Sequence, residues 1–220
     1  MGINRTTAIV VGTLVIPVLV IAAGYVIFSR FISLSGFEEP PLTAAAVDDF
    51  ETFQLDWQLG HGWEHRAAGG PGMTPALVAS GRPEPTRYGD HIFGDVVVQV
   101  RLWVEEGEGR LNIRAGEAGS YAVGLGPTGR VRLYRGETIL GEEYADAVIS
   151  GPAWHTIRFG AFGNQLVVDV DGEEMFSLAD TAPDGPLPPG GIAFSAGETP
   201  ATFTVDDFAV WVPAAEGGQP

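Results

Sequence analysis

Apolar and polar side chains alternate with a period of two along most of the chain beyond residue 95, the pattern of half-buried strands. Residues 154–172 carry it most clearly. Two alternating runs meet there at Gly163-Asn164, and glycine at the first central position accepts the positive φ of a type II′ turn. A two-residue turn at that point sets Phe162 opposite Gln165 and fixes every pair beyond it. Ile157 then faces Val170, Phe159 faces Val168 and Ala161 faces Leu166. A one-residue slip would expel that apolar set from the core. On the other side Arg158 meets Asp169 and Thr156 meets Asp171, which puts opposite charge directly across the ladder. The hairpin is read as framework, with Asp169 as the partner of Arg158.

The same period organises its neighbours. Val96, Val98, Val100, Leu102 and Val104 share one face, with Val97, Gln99, Arg101 and Trp103 on the other. Glu105 to Gly109 forms a turn into Leu111, Ile113 and Ala115, with Asn112 and Arg114 opposite. Tyr121, Val123 and Leu125 lead to a turn at Pro127-Thr128-Gly129, after which Val131 and Leu133 return inward and Arg130, Arg132 and Tyr134 face out. Further strands are expected at Met175 to Leu178, Gly191 to Ala196 and Thr202 to Val212, with the first strand at Val47 to Phe53. Gly69 to Asp90 reads as a long loop with one short strand near Ala76 to Ala79. Turn signals recur roughly every 8–15 residues without helical spacing, which predicts an all-β antiparallel sandwich.

The first residues break this pattern. Ala8 to Phe28 is an uncharged apolar run of 21 residues, long enough to span a bilayer core as one helix. Arg5 precedes it, Arg30 and Glu38-Glu39 follow, and the positive flank favours a cytoplasmic N-terminus with an exported C-terminal domain. A cleaved signal peptide fits less well, because the apolar run continues past Ala22-Ala23-Gly24. The expected organisation is a cytoplasmic segment 1–7, a single transmembrane helix 8–28, a juxtamembrane linker 29–46, a sandwich 47–212 and a tail 213–220. The localisation expected is a single-pass cell-membrane protein with an extracytoplasmic domain.

Composition narrows the chemistry. Cysteine is absent, so disulfides and thiolate sites are excluded. All 12 basic residues are arginine, against 28 acidic ones, and the net charge of −16 argues against a nucleic-acid partner. The four histidines lack the convergent spacing of a zinc site.

Asp48-Asp49-Phe50 near the start echoes Asp206-Asp207-Phe208 near the finish. Phe203 and Val205 are odd, whereas Phe208, Val210 and Val212 are even, so a β-bulge is expected at Asp206-Asp207. If the first and last strands are neighbours, Asp48, Asp49, Asp206 and Asp207 form a candidate calcium site of hard oxygen ligands. The alternative is that these aspartates accept backbone N–H groups at strand ends.

Phe93-Gly94-Asp95, Trp154-His155-Thr156-Ile157, Asp169-Val170-Asp171-Gly172 and Phe203 to Val210 resemble strand signatures of the concanavalin A-like lectin/glucanase superfamily. Within it the likeness is to laminin-G-like and family 16 hydrolase-like domains. The resemblance spans about Asp48 to Val212 and implies a jelly-roll of two antiparallel sheets, with glycan binding or glycoside hydrolysis among the activities of such folds. The Glu-x-Asp-x-x-Glu pattern of the glucanase branch is absent, so a non-catalytic domain is expected. Arg101, Trp103, Arg114, Arg132 and Tyr134 lie on the non-core phase of their strands and are the candidate glycan contacts, provided those strands share a sheet. The competing expectation is an accessory subunit that packs on protein partners in a larger membrane or cell-surface complex.

Overall fold

The computed structural model describes residues 37–51, 56–68, 74–145, 152–197 and 199–214. Contacts separate Met1–Glu39 from Pro40–Pro220, and every strand among the described residues lies in the latter. The helix expected over Ala8 to Phe28, the N-terminal segment before it and residues 215–220 of the expected tail fall outside the described residues. Among the described residues, no helix is long and apolar enough to cross a membrane.

Among the described residues, fifteen strands, numbered in chain order, build two sheets. The first has β13 (Glu173–Ala179), β12 (Gln165–Val170), β11 (Trp154–Phe162), β6 (Val96–Glu106), β15 (Ala201–Pro213), β4 (Ala76–Gly81) and β3 (Trp63–Arg66) in that spatial order, with β1 (Leu42–Asp48) also on β15. The second runs β10 (Thr138–Tyr144), β9 (Arg130–Arg135), β8 (Gly119–Leu125), β7 (Gly109–Gly116), β14 (Gly191–Ala196), β5 (Thr86–Tyr88) and β2 (Trp57–Gln58). All ladder pairs are antiparallel. Inward residues of both sheets, among them Val98, Leu102, Phe159, Leu111, Val123 and Leu133, join one buried cluster. Each such side chain contributes about 1.5–3 kcal/mol on burial.

The 154–172 hairpin has the expected register. Ile157 pairs with Val170, Arg158 with Asp169, Phe159 with Val168, Ala161 with Leu166 and Phe162 with Gln165. Gly163 has φ +55° with open space around it, so glycine is there for backbone conformation rather than for fit. Arg158 Nη1 lies 3.3 Å from Asp169 Oδ2, as the ladder requires.

The bulge in β15 is also present. Asp206 pairs with Arg101 and Ala209 with Gln99, which inserts one residue, and Asp207 takes φ +50°. The phase change lets Phe203, Val205, Phe208 and Val210 all reach the core. At the same point β15 changes partner on its other edge, from β4 at Ala201–Val205 to β1 at Phe208–Pro213.

Three expectations are corrected. The first strand is Leu42–Asp48 rather than Val47 to Phe53, so it takes residues assigned to the linker 29–46, and β15 carries strand structure to Pro213. Phe50 has φ +55° and its N–H bonds Asp48 Oδ1, which turns the chain where a strand was expected to continue. The described part of the segment 69–90, from residue 74 on, holds two strands, β4 and β5. Strand β10 went unforeseen because it is an edge strand whose residues are half-buried or exposed and carry no clean alternation.

Candidate functional site

The outward face of the seven-stranded sheet carries a depression of about 290 Å³ above β7 and β9. That is near the lower end of ligand pockets, roughly 300–1,000 Å³. Leu111, Ile113, Val131 and Leu133 point inward, so the strand period turns Arg110, Asn112, Arg132 and Tyr134 the other way. Glu108 joins them from the turn between β6 and β7.

These side chains form a closed polar constellation. Arg110 Nε donates to Glu108 Oε1 at 2.7 Å, and the Tyr134 hydroxyl lies 2.9 and 3.0 Å from the two Glu108 oxygens. Arg132 approaches Glu108 Oε2 at 3.7 Å and also pairs with Glu142 across the β9–β10 ladder. The Arg110 guanidinium sits 4.0 Å above the Tyr134 ring, which explains why an outward tyrosine is only 3% exposed. Gly124 makes room for the carboxylate, since a Cβ there would come 2.7 Å from Glu108 Cδ. Beside this group, Asn112 donates to Ser195 Oγ at 2.9 Å and accepts from Ser120 Oγ at 3.1 Å.

Burial and charge both act on the site's ionisation. Desolvation is the largest influence on the Tyr134 phenol and raises its pKa, with the Glu108 hydrogen bond and charge acting the same way. For Arg110, burial opposes the charge most strongly, yet the hydrogen bond and charge of Glu108 outweigh it and raise the pKa. Arg132 is raised chiefly by its hydrogen bond to Glu142. Both Glu108 oxygens are already engaged by Arg110, Tyr134 and Arg132, so the carboxylate is built into the wall of the depression.

The five predicted glycan contacts do not share a face. Arg101 and Trp103 stand on β6 in the eight-stranded sheet, whereas Arg114, Arg132 and Tyr134 belong to the seven-stranded one. Trp103 packs edge-on against Trp154 at 6.0 Å, and Arg101 lies 4.7 Å over the Trp154 ring while bonding Asp207 at 2.9 Å. Arg114 is buried, takes φ +49°, and donates to the carbonyls of Gly94, Gly163 and Leu187 and to Asp95. It is a clamp between loops, not a surface contact. Arg132 and Tyr134 alone of the five line the depression.

Each of the four aspartates proposed as calcium ligands is engaged by protein groups. Asp48 accepts from Phe50 N and Trp57 Nε1, and Asp49 accepts from Glu51 N. Asp206 accepts from Asp207 N and Thr74 Oγ1, and Asp207 pairs with Arg101. The first and last strands are neighbours, but each carboxylate caps a local N–H or O–H or meets a guanidinium. Among the described residues, no three His, Asp or Glu side chains are placed to hold a metal. His65, His91 and His155 contact Phe50 O, Asp56 and Asp171 respectively.

Sequence reasoning missed Glu108 and Arg110. Arg110 shares the even phase of Asn112 on β7, and that alternation, carried back two residues, would have found it. Glu108 lies in a turn, where no period operates.

No family model and no curated protein matches the sequence. Solved structures do. A Bacillus subtilis protein of unknown function with a galectin-like fold aligns with TM-score 0.62 and 13% identity over 81% of this chain and all of that one. The carbohydrate-binding module CBM66 from Bacillus subtilis aligns with TM-score 0.56 and 12% identity over 72% of this chain and 96% of its own. An endo-β-1,3-glucanase from Pyrococcus furiosus aligns with TM-score 0.57 and 14% identity over 80% and 96%. The domain thus has the jelly-roll sandwich fold of concanavalin A-like and family 16 glucanase-like proteins. At these identities the likeness is one of fold.

Proposed function

We propose that this chain is a membrane-anchored, extracytoplasmic module that binds a glycan or cell-envelope polymer in the depression above β7 and β9, without catalysing a reaction. The observation that carries the reading is the Glu108–Arg110–Tyr134–Arg132 constellation, a preformed polar wall in a concavity of a sheet face. A retaining glycosidase needs two carboxyl groups about 5–5.5 Å apart with one free to attack. Glu108 has both oxygens occupied, and the sequence lacks the glucanase triad of acids. The apolar run Ala8 to Phe28 supports the anchor, and the charge flanking it supports export.

A glycan array probed with the detergent-solubilised full-length chain tests this. Binding is expected to a subset of saccharides, to be lost in Thr199→Trp, which fills the depression from an exposed rim position, and to survive in Trp103→Ala. Binding that persists in Thr199→Trp and disappears in Trp103→Ala would move the site to the other sheet. The second reading, an accessory subunit, is favoured by the Trp103–Trp154 pair on the outer face of the eight-stranded sheet, where Trp103 Nε1 is buried without an acceptor. Its signature is stoichiometric co-purification with a membrane assembly and no glycan bound.

A further inference from the structure

We infer that the depression above β7 and β9 selects anionic saccharides, those bearing a uronate carboxylate or a sulfate ester, and that Arg130 is the residue that meets the anion. The inference rests on the reading of this depression as a glycan site and names the ligand class.

Charge is the first ground. Among the described lining residues, Arg110, Arg130 and Arg132 face Glu108 and Glu137, three cations to two carboxylates, in a chain whose acidic residues exceed its basic ones 28 to 12. Two of these guanidiniums are occupied: Arg110 by Glu108, and Arg132 by Glu142 and Glu108. Arg130 is not. Its Nε is buried without a hydrogen-bond partner, and its guanidinium makes no ion pair among the described residues. The side chain as a whole is only half-buried, so its guanidinium stays available to an anion that enters the depression.

The second ground is the missing stacking surface. Neutral sugars are gripped largely by exposed aromatic rings against their apolar faces. Among the described residues, the one ring lining this depression belongs to Tyr134, which is buried beneath the Arg110 guanidinium. Recognition there falls to charge-assisted hydrogen bonds, and a guanidinium fork matches a carboxylate or sulfate oxygen pair. The chain as a whole carries the opposite sign. A chain of net charge −16 repels polyanions overall, so any polyanion that binds must do so at a local cationic site.

The test is binding of the full-length chain in detergent to polygalacturonate, dextran sulfate and unsubstituted dextran, by calorimetry at low and high salt. One or both charged polymers are expected to bind, with affinity falling as salt rises, and dextran to bind at least ten-fold more weakly. Which charged polymer binds tells carboxylate from sulfate. Arg130→Ala is expected to reduce binding about ten-fold or more, the worth of one charge-assisted hydrogen bond, with unchanged thermal stability. Arg130→Lys should restore part of it. Dextran binding as tightly as the charged polymers, and lost in Thr199→Trp, would overturn the anionic inference and leave the glycan site standing. No binding by any polymer or array saccharide would overturn both. Undiminished polyanion binding by Arg130→Ala would overturn the assignment of Arg130.

Discussion

Arg114 Nη1 donates to the carbonyl oxygen of Gly163 at 2.8 Å, so a strand of the seven-stranded sheet holds the hairpin tip of the eight-stranded one. Asp95 reinforces the link: its Oδ1 accepts from both Gly163 N and Arg114 Nη2. An arginine on the outward phase of its strand thereby becomes part of the frame that joins the two layers.

Arg114→Ala is therefore expected to destabilise the domain without touching ligand affinity. It strips the donor from the buried carbonyl of Leu187 and from the part-buried bonds to Gly94 and Gly163, and an unsatisfied buried group costs about 1–3 kcal/mol. Urea denaturation should report a loss of roughly 1–3 kcal/mol. Affinity per folded molecule should equal that of the wild type.

Gly163→Ala separates turn conformation from packing. The site has open space but φ +55°, which costs an alanine about 1–2 kcal/mol. Stability should fall by about that amount, while hydrogen exchange retains the protection pattern of β11 and β12. A loss near zero would mean that the turn relaxes to another type.

Asp206 gives a pH signature. Burial raises its native pKa above the ordinary carboxylate value, assisted by the charge of Asp207 and opposed by its hydrogen bonds to Asp207 N and Thr74 and by Arg101. Below the unfolded value both states hold the proton and the site costs nothing. As pH rises through the window between the unfolded and native values, the unfolded chain ionises first and stability falls; above the native pKa the cost is complete. Asp206→Asn should thus raise the melting temperature at pH 7, with a gain that shrinks toward zero as pH approaches about 3.

Tyrosine ionisation reports on the constellation directly. Burial is the main cause that raises the pKa of Tyr134 and of Tyr121, followed by the hydrogen bonds to Glu108 and Asp180. Absorbance titration at 295 nm should show phenols that ionise above pH 10 in the native protein, and Tyr134→Phe should remove one of them. Because the native values exceed the unfolded ones, stability is intact below about pH 10 and declines as pH rises through the native range. Tyr134→Phe should also cost about 1–3 kcal/mol by leaving Glu108 short of a donor.

The hairpin and the candidate site differ in how far the sequence alone reaches. Residues 154–172 carry their own instructions, since Gly163-Asn164 sets a register and alternation sets the faces; both act between residues close in sequence. The bulge at Asp206-Asp207 was legible for the same reason, as a phase change within one strand. Sheet membership is not written locally. Arg101 and Arg132 have the same alternation, yet β6 and β9 lie in different sheets because pairing is decided by contacts between distant strands. Outward phase did not mean exposure either. Arg114 is buried by the loops of Gly94, Gly163 and Leu187, and Tyr134 by Arg110, partners that a strand's own period does not specify. Local chemistry thus determined the strands, the turn and the apolar faces. Tertiary packing alone decided which polar side chains became framework and which, with Glu108 carried in from a turn, line the depression, because burial and charge pairing depend on residues that only the folded chain brings together.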